Sequence, residues 1–177
     1  MEFTEQEKKV LADKYETFKE EIELAMIQNC IVECELYSLL AEIIRGTKSG
    51  KKISLRDIST RRTTDFSDSL KGDSGFADFV VLDRIKRRDA ERFGCVEAKR
   101  PYSDMSITDQ IRGHLNSYGK VIYTNGLIWK FYKVKEKPVE EFSLGCIDPD
   151  KQDSVIWEPV DNWYELMSFL EDWDWKS

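Results

Sequence analysis

One histidine, His114, stands in 177 residues, so no histidine cluster for zinc can form from this chain. No apolar run approaches the ~18 residues that a membrane span requires. The acidic start Met1-Glu2-Phe3-Thr4-Glu5 does not read as a signal peptide. There is no GxxxxGK(S/T) loop for a nucleotide-driven motor and no GxSxG elbow for a Ser–His–acid hydrolase. Four irregularly spaced cysteines (Cys30, Cys34, Cys95, Cys146) argue for a reduced, cytoplasmic protein rather than a disulfide scaffold. Cys30 and Cys34, at i and i+4, are expected as core thiols.

What is present is an ordinary globular composition, 41% hydrophobic and 34% charged. The length suits one domain that buries about 70% of its unfolded surface. The net charge of −7 hides a segregation: residues 1–44 balance to −7, 45–100 to +6, 101–144 to +1 and 145–177 to −7. A basic middle between acidic ends is compatible with one polyanion-binding face, but on charge alone both signs solvating different helices and loops is the plainer reading.

Apolar spacing predicts helix over residues 5–45, broken once, with Leu11, Tyr15, Phe18, Ile22 and Met26 in the first stripe and Ile31 to Ile44 in the second. Gly46 is a stop. Lys51–Ile58 alternates like a half-buried strand, and residues 60–74 read as loop. Phe76–Leu82 and Arg92–Lys99 are strands joined by the charged hairpin loop Asp83–Glu91. Ser106 and Asp109 resemble a capping box for a helix through Ile107, Ile111, Leu115 and Tyr118 that stops at Gly119. Asn125-Gly126 is a strong hairpin signal between Val121–Tyr123 and Leu127–Val134. Val155–Trp157 reads as a short strand, and Asp161 as the cap of a last helix. This order implies a mixed sheet with helices on its faces.

Three polar residues sit where apolar ones belong. Asp78 interrupts an otherwise apolar run, and a buried carboxylate needs a cation or good hydrogen bonds. Glu97 and Lys99, two apart on the next strand, share a face. If the strands pair, two carboxylates and an ammonium converge. A salt bridge satisfies them, and so does a divalent cation on hard oxygen ligands. Glu33 falls within the apolar arc of the second helix, where it either snorkels, pairs with a sheet arginine, or serves the same site. His114 either contacts a substrate or sits neutral at the helix surface.

Gly75-Phe76-Ala77-Asp78, followed one hairpin later by Val96-Glu97-Ala98-Lys99, resembles the D…E-x-K signature of the PD-(D/E)XK nuclease superfamily, whose common core has the same α-β-β-β-α-β order. Gln110-Ile111-Arg112-Gly113-His114, then Tyr123-Thr124-Asn125-Gly126 and Trp129-Lys130-Phe131-Tyr132, is similar to the N-terminal nuclease domain of type I restriction endonuclease R subunits. The resemblance covers residues 30–134, leaving 1–29 as a helical extension and 140–177 as an acidic one within a single domain. Ala77 replaces the motif's proline. His114 holds the fifth place of the Gln-x-x-x-Tyr helix motif, with Tyr118 one turn later.

The resemblance implies an α/β, restriction-endonuclease-like fold and metal-dependent hydrolysis of phosphodiester bonds, with DNA as substrate by analogy. Asp78, Glu97 and the Ala98 carbonyl would hold Mg²⁺ or Mn²⁺. Lys99 would orient a water or stabilise the transition state. Glu33 would ligate through water or orient Lys99, and Gln110 would hydrogen-bond at the site's edge. Lys51, Lys52, Arg56, Arg61, Arg62 and Arg112 would contact phosphates, as would Arg84, Lys86, Arg87 and Arg88 on the hairpin loop. Trp163, Trp173 and Trp175, among acidic neighbours, are expected to cover a sheet face or a dimer contact. Two rival readings are a catalytically silent nucleic-acid-binding module on the same scaffold, and an interaction subunit, homodimeric or within a restriction or defence complex, whose motor is another chain.

Overall fold

The computed structural model describes residues 2–28, 32–64, 67–151 and 153–176. Two helices come first, α1 (Glu5–Ile27) and α2 (Glu35–Gly46). A capping box starts α1: Thr4 Oγ1 accepts from the Glu7 N–H, and the Glu7 carboxylate accepts from the Thr4 N–H. The expected second helical stretch begins at Ile31, which lies, with Cys30, outside the described residues. Val32, Glu33 and Cys34 precede α2 in a turn, so Glu33 is not on the helix's packing arc as its spacing suggested. Cys34 is exposed rather than a core thiol.

Five strands then follow in the expected places: β1 (Ile53–Asp57), β2 (Phe79–Asp83), β3 (Arg92–Ala98), β4 (Lys120–Thr124) and β5 (Ile128–Lys133), with helix α3 (Asp109–Tyr118) between β3 and β4. Lys51 and Lys52 belong to a single 3₁₀ turn before β1. The cap of α3 is Thr108, whose Oγ1 accepts from the Ile111 N–H at 3.3 Å; the expected Ser106 instead closes a local turn onto Asp104. Gly119, at φ 75°, ends α3 where a side chain would be strained. In the β4–β5 hairpin Gly126 takes φ 85°, and Asn125 Oδ1 accepts from the N–H groups of Leu127 and Ile128.

Two strands had no clear signal. β6 (Glu140–Ser143) extends the sheet beside β5, and β7 (Gly145–Ile147) pairs with the expected β8 (Val155–Trp157) in a separate ribbon. The last helix, α4 (Val160–Asp172), starts after Pro159, so Asp161 lies in its first turn and is not its cap.

The sheet order is β1-β2-β3-β4-β5-β6, antiparallel throughout except β3 with β4. That one parallel pair follows from α3, because parallel neighbours need a crossover. The architecture is mixed α+β, a six-stranded mixed sheet flanked by helices, in the restriction-endonuclease-like arrangement. Strand alternation divides the core. Leu55, Phe79, Val81, Val96, Ile122, Trp129 and Phe131 face α1, α2 and α4, where Trp163, Trp173 and Trp175 are also buried. Val80, Cys95, Val121, Tyr123 and Tyr132 face α3. Among the described residues no helix is long and apolar enough to cross a membrane.

Candidate functional site

Phe79 pairs with Val96, so Asp78, one residue before, stands opposite Glu97. Val80 and Cys95, two residues further in, belong to the α3 side, and the period of two puts both carboxylates on that side as well. They lie where β1, β3 and β4 end and β2 begins. The backbone joins in: the Ile58 N–H, just past β1, donates to the Asp78 carbonyl at 2.8 Å, and the Lys99 N–H donates to the Thr124 carbonyl at 2.8 Å.

Most polar groups of the cluster are tied. Asp78 Oδ2 accepts from the Ala98 N–H at 2.7 Å, and its Oδ1 accepts from the Tyr37 hydroxyl of α2. Glu97 Oε1 accepts from Lys99 Nζ at 2.8 Å, and Glu33 Oε1 lies 3.7 Å from the same ammonium. Glu33 is thus brought to the triplet from the turn before α2. His114 is fully buried, with Nε2 3.2 Å from Glu97 Oε2 but not aligned for a hydrogen bond, and its ring meets Tyr118 edge-on. The expectation of a histidine at the helix surface is therefore corrected. Its place between Ile111 and Tyr118 at helical spacing was the sequence signal for this burial.

Burial is deep. Glu97 is 2% exposed and Asp78 8%, while the Lys99 side chain, at 18%, opens to solvent. Burial pushes the Asp78 carboxyl up to about 6, the facing Glu97 adds to the rise, and the bonds from Tyr37 and Ala98 oppose it. Burial also acts upward on Glu97, but His114 and Lys99 outweigh it and hold this carboxyl below its usual range. On Lys99 burial acts downward and is overcome by Glu97, Glu33 and Asp78, so the ammonium is stabilised. Tyr37 is raised by burial and by its bond to Asp78. A proton resides more readily on Asp78 than on Glu97.

Both carboxylates are hard oxygen donors, and Glu97 Oε2 is a buried acceptor without an aligned donor. Among the described residues, no three His, Cys, Asp or Glu side chains gather as a ligand set. Two carboxylates completed by a backbone carbonyl and water nevertheless match what Mg²⁺ takes, since it keeps several waters.

The remaining candidates scatter. Gln110 is half-buried in the first turn of α3, one turn before His114, and it is His114 that reaches Glu97. Arg112 is ion-paired outward with Asp109 at 2.7 Å and Glu136 at 3.1 Å. Arg56, exposed on β1, donates to Ser54 Oγ. Arg61 and Arg62 line a hollow just past β1, at the Asp78 end of the sheet. Lys51 and Lys52 precede Ile53, whose partner is Asp83, so they lie at the opposite end with the hairpin loop. On that loop Arg87 is paired with Asp89.

Neither a family model nor a curated protein sequence matches the chain. In three dimensions it is similar to a chain of the DrdV–DNA complex seen by cryo-electron microscopy, with a TM-score of 0.56 and 12% identity. The match covers 92% of this chain and 14% of that one, so the chain spans about a seventh of its structural neighbour. A likeness at this identity shows a shared fold.

Proposed function

We propose that the protein is a Mg²⁺- or Mn²⁺-dependent nuclease of the PD-(D/E)XK type that hydrolyses phosphodiester bonds in DNA. The observation that carries the reading is Asp78 standing opposite Glu97 on neighbouring strands, with Lys99 held at 2.8 Å from Glu97. Burial first, and then the facing Glu97, raise the Asp78 carboxyl, and a divalent cation would turn that cost into attraction. Asp78, Glu97 and the Ala98 carbonyl are the groups that would hold the cation. When bound, it supplies a water of lowered pKa and neutralises charge on the phosphate.

The chain's own residues do the rest. Tyr37 and the Ala98 N–H fix the Asp78 carboxylate, so its oxygens are placed before a ligand arrives. Lys99 is the solvent-facing ammonium; it orients the attacking water or stabilises the charge that develops on the phosphate. Glu33 steadies Lys99 from the turn before α2. Gln110 hydrogen-bonds the strand at the edge of the site. The basic middle of the chain supplies backbone affinity, and binding falls steeply with salt. The structural neighbour comes from a DNA complex, which supports DNA as substrate. Action as a homodimer or beside other subunits of a restriction or defence complex belongs to the same proposal.

One observation favours the alternative of a silent binding or interaction subunit. Tyr37, the Ala98 N–H and Lys99 already engage three of the four carboxylate oxygens, and His114 crowds the fourth. The experiment that separates the two incubates the protein with plasmid and single-stranded DNA in Mn²⁺ or EDTA, beside Asp78→Ala and Lys99→Ala. Nicking in Mn²⁺ that EDTA and both substitutions abolish supports the nuclease. Binding without cleavage in any metal supports the silent module.

A further inference from the structure

The arginines of the basic middle are not equivalent. Arg87 is neutralised by Asp89, Arg84 donates to the Ile53 carbonyl at 3.2 Å, and Arg92 donates to the Lys71 carbonyl and lies over the Tyr118 ring. Among the described residues Arg61, Arg62 and Arg100 have no carboxylate partner. All three sit at the same end of the sheet: Arg61 and Arg62 follow β1, and Arg100 follows Lys99 beyond β3. Between them, on the intervening strand, lies Asp78. Adjacent strands are about 4.8 Å apart, so the sequence Arg61–Arg62, Asp78, Lys99–Arg100 crosses roughly 10 Å.

The hollow beside Arg61 and Arg62 is lined also by Asp57, Thr60, Thr64 and Ser67 and measures about 460 Å³, within the size range of small-ligand sites. Among the described lining residues the carboxylate is Asp57, whose Oδ1 accepts from the Ser59 N–H at 3.0 Å and the Ser59 hydroxyl at 2.7 Å and which makes no ion pair with either arginine. Ser67, buried, fixes the wall: its hydroxyl donates to the Arg62 carbonyl and accepts from the Thr64 N–H at 3.2 Å. The result is a hydroxyl-lined basin with two guanidinium groups that pair with no carboxylate among the described residues, which suits an anionic oxygen group such as a backbone phosphate.

Resting on the nuclease reading, we infer that the nucleic-acid strand crosses this end of the sheet, one phosphate held by Arg61 and Arg62 in the hollow and another by Arg100, with the scissile group between them over Asp78 and Lys99. The cations at the opposite end, Lys51, Lys52, Lys86 and Arg88, are solvated and take no part.

The test measures fluorescence anisotropy of labelled single-stranded DNA, duplex DNA and RNA oligonucleotides with the full chain in EDTA, between about 50 and 200 mM salt. Arg61→Ala/Arg62→Ala/Arg100→Ala is compared with Lys51→Ala/Lys52→Ala/Lys86→Ala, which removes the same charge. All six side chains are exposed, and matching thermal midpoints check that both variants fold. The first variant should bind at least about tenfold more weakly, with a log–log salt slope flatter by about 2 to 3. The second should change by less than about threefold, because its charges lie beyond a Debye length. Equal losses in both variants, no loss in the first, or no binding by the wild type overturns the inference. The expected pattern without any cleavage in Mn²⁺ overturns the nuclease reading and leaves the phosphate path standing.

Discussion

Under α1, α2 and α4 the sheet buries Phe79, Val96, Ile122, Trp129 and Phe131 against Tyr15, Phe18, Trp163 and Trp173. Under α3 its buried set includes Asp78, Glu97, His114 and Cys95, with the thiol pushed far up by burial and then by Glu97. One face is an aromatic interior with rings stacked or edge-on at 5–6 Å, such as Tyr15 on Trp163 at 5.2 Å. The other keeps charged groups at close range where apolar packing would be more stable. Proteins tolerate such a conflict where it serves a site. The sheet therefore separates two roles: its broad face supplies stability, and its α3 face holds the charged cluster on which the proposed chemistry rests.

The largest expected break in that contrast is on the α3 face. Asp78→Asn, which keeps the shape of the side chain, should lower metal-dependent cleavage by at least on the order of 10³-fold, with the urea midpoint little changed. Coincident loss of cleavage and stability would mean the acids are structural. On the broad face the pattern inverts. Trp163→Ala should cost about 3–5 kcal/mol in urea unfolding while Mn²⁺ affinity, read by isothermal calorimetry on the folded fraction, stays put.

A smaller effect tests how tightly α3 sits. A Cβ at Gly113 would come 1.7 Å from Ser74 Oγ and 2.8 Å from Ser74 Cβ, so the loop before β2 presses directly on the helix. Gly113→Ala should destabilise by about 1–3 kcal/mol, visible as a lower thermal midpoint.

The pH response is smaller and carries a sign. Asp78 is raised from 3.8 to about 6, so between those values the folded chain holds a proton that the unfolded chain has released. Its contribution is complete below about pH 4 and is lost as pH rises through about 6. Glu97, held below 4.5, acts oppositely, adding stability above that value that is lost as pH falls through its folded value. Urea midpoints from about pH 4 to 6 should show the Asp78 loss in the wild type and a shallower one in Glu97→Gln, where the facing charge is gone. Arg112→Ala gives the smallest change, under about 1 kcal/mol, because its two ion pairs are exposed.

Much of this was legible from residue order. Asn125-Gly126 and Gly119 announce backbone conformations that few other residues take, and Asp78, Glu97 and Lys99 stand out because their neighbours are apolar. The edge strand β6 was not legible: Glu140-Glu141-Phe142-Ser143 has two exposed carboxylates and lacks clean alternation, as strands with one free edge do. Glu33 was placed on a helix because spacing alone does not reveal where a helix starts; its link to Lys99 is tertiary. His114 reads from the sequence as a substrate contact or a neutral surface residue, although its stripe partners Ile111 and Tyr118 mark it as internal. The far-end position of Lys51 and Lys52 depends on pairing register, which charge counting does not contain.

Leu36 and Tyr37 are neighbours on the first turn of α2, one sunk in the aromatic interior and the other bonded to Asp78. The helix is in effect a rocker arm, seated along its length in grease and touching the acid at its first turn. Trimming Leu40, a turn further along and remote from every reacting group, would let that arm tilt. The carboxylate would feel it, so, if the proposed nuclease reading holds, screens for altered turnover belong as much in the oily socket of α2 as around the acids themselves.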